Sequence, residues 1–220
     1  NELIDWPLIE AVVKTKKPIL LSTGTATKDE LRQTLKFISG YNLKTEIIIL
    51  HCVSSYPANY SEMNLKTIID INNSFPHLYG LSDHSLGTAS SIIAVGLGAS
   101  VIEKHLTIDR QDGAPDSTFS MEPKELKRLC SETKSAWQSI GKIKYGGTTQ
   151  LEKKGIFTRQ IWSIEKIKEG DIFDWKNLKS IRAPLKSNGI SPMHYKAIIG
   201  KEAKDDIAPF TPITTKMIKK

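Results

Sequence analysis

His84 and His105 stand 21 residues apart, each at the end of an apolar run and each within two residues of a carboxylate, Asp83 or Glu103. Two neutral imidazoles with oxygen donors nearby suit a borderline divalent ion such as Mn²⁺, Fe²⁺ or Zn²⁺ better than a hard one. Asp83 and Glu103 are close enough in sequence to be ligands themselves or to orient the ligands. In an extended strand Glu103 and His105 share a face while Lys104 points the other way. Further on, "DRQDGAPDSTFS" is a Gly- and Pro-containing loop whose Asp112 and Asp116 could overhang the same place, although an acidic loop is as readily a solvated turn.

Residues so far apart need elements to bring them together. Apolar, β-branched runs occur at Pro18–Leu21, Glu46–Leu50, His77–Leu81 and Ser100–Leu106, each followed by a longer helix-compatible stretch. Thr27 and Glu30 form a capping box ahead of "LRQTLKFI", and Ser61 with Glu62 reads as the start of "MNLKTIIDIN". Repeated βα units predict a parallel sheet covered by helices, either doubly wound or closed into a barrel. In both, chemistry collects at the carboxyl ends of the strands. Those ends carry Ser22, Thr23 and Gly24; His51, Ser54, Ser55 and Tyr56; Ser82, Asp83 and His84; and Glu103 with His105. Singly, a Ser-Thr-Gly at a strand end is more often a helix cap than a phosphate cradle. A lone histidine there is more often a hydrogen-bonded core residue. The same register in four successive units is what points to a site.

Charge divides the chain. Residues 1–150 carry 16 Lys+Arg against 16 Asp+Glu, whereas 151–220 carry 15 against 8, so the whole +7 lies in the last 70 residues. The basic residues are interspersed with acids and form no nucleic-acid motif, which favours an anionic small substrate or a solvated face over nucleic acid. No run approaches the ~18 apolar residues of a membrane span, and no secretory leader pattern opens the chain, so a cytoplasmic protein is expected. Cys52 and Cys130, far apart and outside any C-x-x-C, are expected to be reduced thiols.

"LSTGTAT", "LHCVSSYPANYSEMNLKTI", "GLSDHSLG", "GASVIEKHLTIDR" and "GAPDSTFSMEP" resemble, in order, the signatures of the sialic acid synthase family, which condenses phosphoenolpyruvate with an N-acylated sugar. The tail from "GIFTRQIW" to "DIAPFTPIT" is similar to that family's antifreeze-like (SAF) domain. "CVSSYPA", with Ser54 where the acetylneuraminate enzymes typically have Asn, and the "DR…PDSTFS" segment are most like pseudaminic acid synthases.

The resemblance implies an α/β fold consisting of the latter half of a TIM (β/α)8 barrel, residues 1–140, a linker 141–154, and a small β-rich SAF cap, residues 155–220. It implies His84 and His105 as ligands of a divalent metal, Mn²⁺ first and Mg²⁺ or Co²⁺ next. Ser22 and Ser82 match hydroxyls holding the phosphate of phosphoenolpyruvate, and Glu2 and Asp116 match active-site carboxylates. Ser54 and Tyr56 fall beside the sugar. Phe157 and Arg182 match cap positions near its acyl group, with Arg182 supplied across a domain-swapped homodimer. At the cap arginine the family pattern is Arg-Pro, whereas here Ala183 intervenes, which changes the backbone restriction proline imposes. The family carries about four further βα units ahead of this segment, so a fragment or truncated product is expected. The implied product is pseudaminic acid, made from 2,4-diacetamido-2,4,6-trideoxy-altrose. N-acetylneuraminate or legionaminate synthesis is the near alternative. An aldolase-like or deoxy-heptulosonate-type barrel and a non-catalytic fragment or binding module are the more distant ones.

Overall fold

The structure, a computed structural model, describes residues 2–41, 45–150, 158–182 and 187–219. It divides into two compact units, Asn1–Gly141 and Lys142–Lys220.

In the first unit four parallel strands lie side by side in chain order: β1 (Ile19–Ser22), β2 (Ile47–Cys52), β3 (Leu78–Asp83) and β4 (Val101–Lys104). Helices α1 (Trp6–Lys14), α2 (Lys28–Ser39), α3 (Lys66–Ser74), α4 (Ala89–Gly96) and α5 (Pro123–Ile140) alternate with them. All four expected strands form, displaced towards the C-terminus at most ends. The last stops at Lys104 because Leu106 bridges to Met121 in the following loop. This is a partial TIM barrel, a fold in which the strand ends gather the chemistry.

The two faces of the sheet differ. Ile19, Leu21, Ile47 and Ile49 pack with Leu31, Leu35, Ile38, Ile71 and Phe75 from the helices. Leu81 joins a second cluster with Met63, Ile68 and Ala94. By strand alternation the opposite face carries Leu20, Ser22, Leu50, Cys52, Gly80, Ser82 and Glu103. Gly80 has a steric reason: a Cβ there would meet the Val101 carbonyl oxygen at 2.2 Å and Leu50 Cδ2 at 2.8 Å.

The capping box of α2 forms as expected, with Glu30 N–H donating to Thr27 Oγ1 at 3.2 Å and Thr27 N–H to Glu30 Oε2 at 2.7 Å. The expected start of α3 at Ser61 does not. Tyr60–Glu62 is a single 3-10 turn, Asn64 turns into the left-handed region at φ 42°, and the helix begins only at Lys66. That residue conformation interrupts any continuous helix.

The second unit is built from short pieces. β5 (Arg159–Ser163) pairs antiparallel with β6 (Leu178–Arg182), isolated bridges join the remaining segments, and α6 (Tyr195–Ile198) is a single turn. Ile161, Ile167, Phe173, Leu178, Ile198, Ala203, Ile207 and Ile213 form its core. Among the described residues no helix is long and apolar enough to cross a membrane.

Candidate active site

The ends of β3 and β4 bring the two histidines together. Their ring centroids lie 5.1 Å apart and their planes cross at 75°. His84 follows β3 directly, and its Nδ1 lies 2.8 Å from the Val53 carbonyl oxygen, so that nitrogen carries the proton and Nε2 is left as the lone-pair donor. Holding one ring nitrogen on a backbone carbonyl is how ligating histidines are commonly oriented. Cys52 Sγ is a longer neighbour of the same nitrogen at 4.0 Å. The thiol contact, with help from the Val53 carbonyl, outweighs burial and raises the His84 pKa above the usual imidazole value. For Cys52, burial pushes the thiol up, but the opposing contacts with His84, Ser82 and the Gly24 backbone leave it lowered.

Tyr56 forms the wall of this pair. Its ring centroid is 4.3 Å from that of His84, 5.9 Å from His105 and 5.8 Å from Phe119. Burial raises its phenol pKa, and the nearby acidic groups Cys52, Asp116 and Glu2 act in the same direction, which puts both expected carboxylates within electrostatic reach of it. Asp116 comes nearest a histidine, with Oδ2 3.8 Å from His105 Nδ1. It sits at φ 65°, a conformation that aspartate tolerates better than most residues, and its carbonyl accepts from Ser120 Oγ at 2.7 Å. Asp112 has a different job. Its carboxylate accepts from Thr107 Oγ1 at 3.2 Å and Ala114 N–H at 3.0 Å, within its own loop.

The hydroxyls lie on the same sheet face. Cys52 pairs in register with Ser82, and Ser82 with Glu103. Ser82 Oγ donates to Glu103 Oε1 at 2.7 Å, so the serine is buried while its partner carboxylate is exposed. Ser22 ends β1, half-buried, and the next residue, Thr23, takes the Cys52 N–H on its Oγ1 at 3.1 Å. Ser54 is exposed in the loop before Tyr56, close enough to its phenol to oppose the rise in that group's pKa. Glu2 lies exposed in a short 3-10 turn, Glu2–Ile4, anchored by buried Leu3, whose carbonyl accepts from Thr34 Oγ1 at 2.9 Å.

Two residues weighed for this site face the other way. His51 is buried on the helix side, where its Nε2–H donates to the Met63 carbonyl at 2.7 Å, and burial lowers its pKa. Asp83, also on that side, accepts from Ser85 N–H, Ser85 Oγ and Ser91 Oγ at 2.9, 2.7 and 2.6 Å and pairs with Lys104 at 3.0 Å. Strand alternation is the reason in both cases: each precedes or follows by one a residue that faces the site. Conversely, Cys52 and Phe119 reach the site unannounced; the even spacing of Leu50, Cys52 and Ser54 was the signal for the first.

As a donor set, the two imidazoles fit a divalent ion, with His84 held in the tautomer that exposes Nε2. Among the described residues no group of three or more His, Cys, Asp or Glu side chains is gathered for metal binding. A divalent ion held by these two imidazoles alone would take its remaining ligands from substrate or water oxygens. In the second unit Arg182 ends β6, exposed and in register opposite Arg159. Phe157 and Ala183 lie outside the described residues.

Comparison with known proteins covers both units. Residues 1–145 match the NeuB family and residues 159–219 the SAF domain. The chain is 36% identical over 205 residues to the N,N'-diacetyllegionaminic acid synthase of Campylobacter jejuni, covering 92% of this chain and 60% of that protein. It is 35% identical over 206 residues to a pseudaminic acid synthase of the same species, covering 94% and 59%. A crystal structure of a spore coat polysaccharide biosynthesis protein from Bacillus subtilis superimposes with a TM-score of 0.59 at 30% identity, over 100% of this chain and 66% of that one. The chain thus spans about 60% of the length of the two synthases it resembles.

Proposed function

Since the chain belongs to the NeuB family and carries a SAF domain, we propose that its protein condenses phosphoenolpyruvate with an N-acetylated amino sugar to give a nonulosonic acid and phosphate. The observation that carries this reading is the placing of His84 and His105 at adjacent strand ends, 5.1 Å apart, with Tyr56 against both and Asp116 beside the second.

Ser22 and Ser82 are the hydroxyls for the phosphate, on the sheet face that carries the site. Tyr56 and Ser54 line the acceptor sugar. A divalent ion held by His84 and His105, Mn²⁺ in first place and Mg²⁺ or Co²⁺ in second, would supply Lewis-acid polarisation of the sugar's aldehyde oxygen. The π electrons of phosphoenolpyruvate form the new bond from its C3 to the aldehyde carbon, leaving C2 electron-poor. Water adds at C2, and one of the two carboxylates, Glu2 or Asp116, takes its proton before the C2–O bond to phosphate breaks. Tyr56 packs against both histidine rings and Phe119 against that of His105.

For the acceptor we favour 2,4-diacetamido-2,4,6-trideoxy-altrose, and so pseudaminic acid as product. Relatives named for pseudaminate and legionaminate match almost equally, at 35% and 36%, so the support is the Ser54-containing segment and "PDSTFS". The SAF unit is read as a lid supplied across a homodimer, with Arg182 and Phe157 facing the sugar's acyl group. Both cysteines are free thiols, in keeping with a cytoplasmic enzyme. The deciding experiment is phosphate release by the full-length protein with the altrose derivative, its legionaminate-type isomer and N-acetylmannosamine, each with and without Mn²⁺. Release with the altrose derivative alone supports the reading, and metal-independent release or none with any acceptor overturns it.

A further inference from the structure

The Asp83–Lys104 pair lies on the sheet face that the proposed chemistry does not use. Its side chains are 0% and 4% exposed, Lys104 Nζ is 3.0 Å from Asp83 Oδ2, and the two residues are register partners across β3 and β4. His84 and His105 directly follow the ends of the two strands. The pair also reaches past His84, since Lys104 Nζ donates to the Ser85 carbonyl and Asp83 Oδ1 takes both Ser85 N–H and Ser85 Oγ, at 2.9 and 2.7 Å. Ser91 Oγ, on α4, donates to Asp83 Oδ2 at 2.6 Å and ties the cluster to the helix layer.

A buried ion pair is a poor device for stability alone, because apolar residues of the same volume often do as well or better. It is a good device for position, because charge and hydrogen-bond direction admit few arrangements. We propose that Asp83 and Lys104 are positioning residues that set the separation and orientation of His84 and His105 from behind the sheet. The inference rests on the proposed reading of those histidines as metal ligands. Asp83 fixes the backbone on both sides of His84, and Lys104 couples that backbone to the strand that delivers His105. Loss of either leaves the imidazoles in place in sequence but free to drift apart.

The test uses the full-length protein with Asp83→Asn, Lys104→Met and the doubly apolar Asp83→Leu/Lys104→Met, each checked for folding by circular dichroism. Two readouts are taken. One is Mn²⁺ affinity by calorimetry, with the Co²⁺ absorption spectrum. The other, in metal-free protein, is the His84 tautomer from imidazole ¹⁵N shifts. We expect folded variants to bind Mn²⁺ about 10- to 100-fold more weakly, as when outer partners of a metal site are removed. Their His84 should change from one Nδ1-protonated tautomer to a mixture. Wild-type affinity and an unchanged tautomer in a folded variant would overturn the proposal. So would failure of all three variants to fold, which would make the pair a stability element. Should the wild type bind no Mn²⁺, the metal reading fails by itself, and the tautomer still decides whether the pair positions His84.

Discussion

Ser82 Oγ gives its single proton to Glu103 Oε1 at 2.7 Å across neighbouring parallel strands. A hydroxyl has one donor, so Ser82 must turn away from Glu103 to serve a phosphate. Ser82→Ala in the full-length protein should raise the KM for phosphoenolpyruvate by roughly 10- to 100-fold, the loss of about 1.5–3 kcal/mol for a hydrogen bond to a charged group. Glu103→Gln, which removes a negative charge from beside the phosphate, should leave that KM unchanged or lower it. Steady-state kinetics on both variants check the pair.

Metal removal should stop the reaction. EDTA treatment should abolish phosphate release and Mn²⁺ should restore it, while His84→Ala and His105→Ala should each fail to be rescued. Metal content by elemental analysis should fall with activity. Mn²⁺ at about 100 times its dissociation constant should also stabilise wild type by about 2.7 kcal/mol and neither variant to that extent, read as a shift in thermal midpoint.

Arg182 tests the lid. Arg182→Ala should raise the KM for the acceptor sugar by about tenfold or more, the loss of a charge-assisted hydrogen bond, while the KM for phosphoenolpyruvate stays put. Normal kinetics for both substrates would make the SAF unit an independent module.

Gly80→Ala should destabilise the first unit by about 1–3 kcal/mol, as overpacking does. The added Cβ would stand 2.2 Å from the Val101 carbonyl oxygen, a backbone atom that cannot rotate away. Chemical denaturation measures it, and a wild-type midpoint would show that β3 and β4 separate more easily than their register implies.

His51 sets a pH dependence. Burial depresses its folded-state pKa below the unfolded value of about 6.5, so the unfolded chain binds the proton more readily. Its contribution is complete above about pH 6.5 and is lost as pH falls below that towards the folded pKa. Unfolding free energies of wild type and His51→Gln between pH 7 and 5 should therefore show the steeper decline in wild type. Equal slopes would mean that His51 stays neutral in both states.

The βα rhythm was legible because burial imposes periodicity. Ile19, Leu21, Ile47 and Ile49 are apolar since helices cover them, and Thr27 with Glu30 marks a helix start through a local hydrogen-bond exchange. The false start at Ser61 shows the limit of such cues. Nothing local to Ser61 and Glu62 announces that Asn64 will adopt a positive φ and delay α3 to Lys66.

By itself, the sequence determined the strands, their order in the chain and the residues at their carboxyl ends, because propensity, alternation and capping act over a few neighbours. Which of the two sheet faces the helices cover, and who meets whom, came only with the tertiary structure. His51 and Asp83 look as chemical as His84 in one dimension, yet strand alternation puts them on the face that the helices cover, one against the Met63 carbonyl and the other against Lys104. Cys52 and Phe119 lie inside quoted signature segments without a role assigned to either, and strand pairing and loop closure bring them against His84 and His105. The 5.1 Å between two imidazoles 21 residues apart is a property of the sheet, since only the packing of β3 beside β4 sets it.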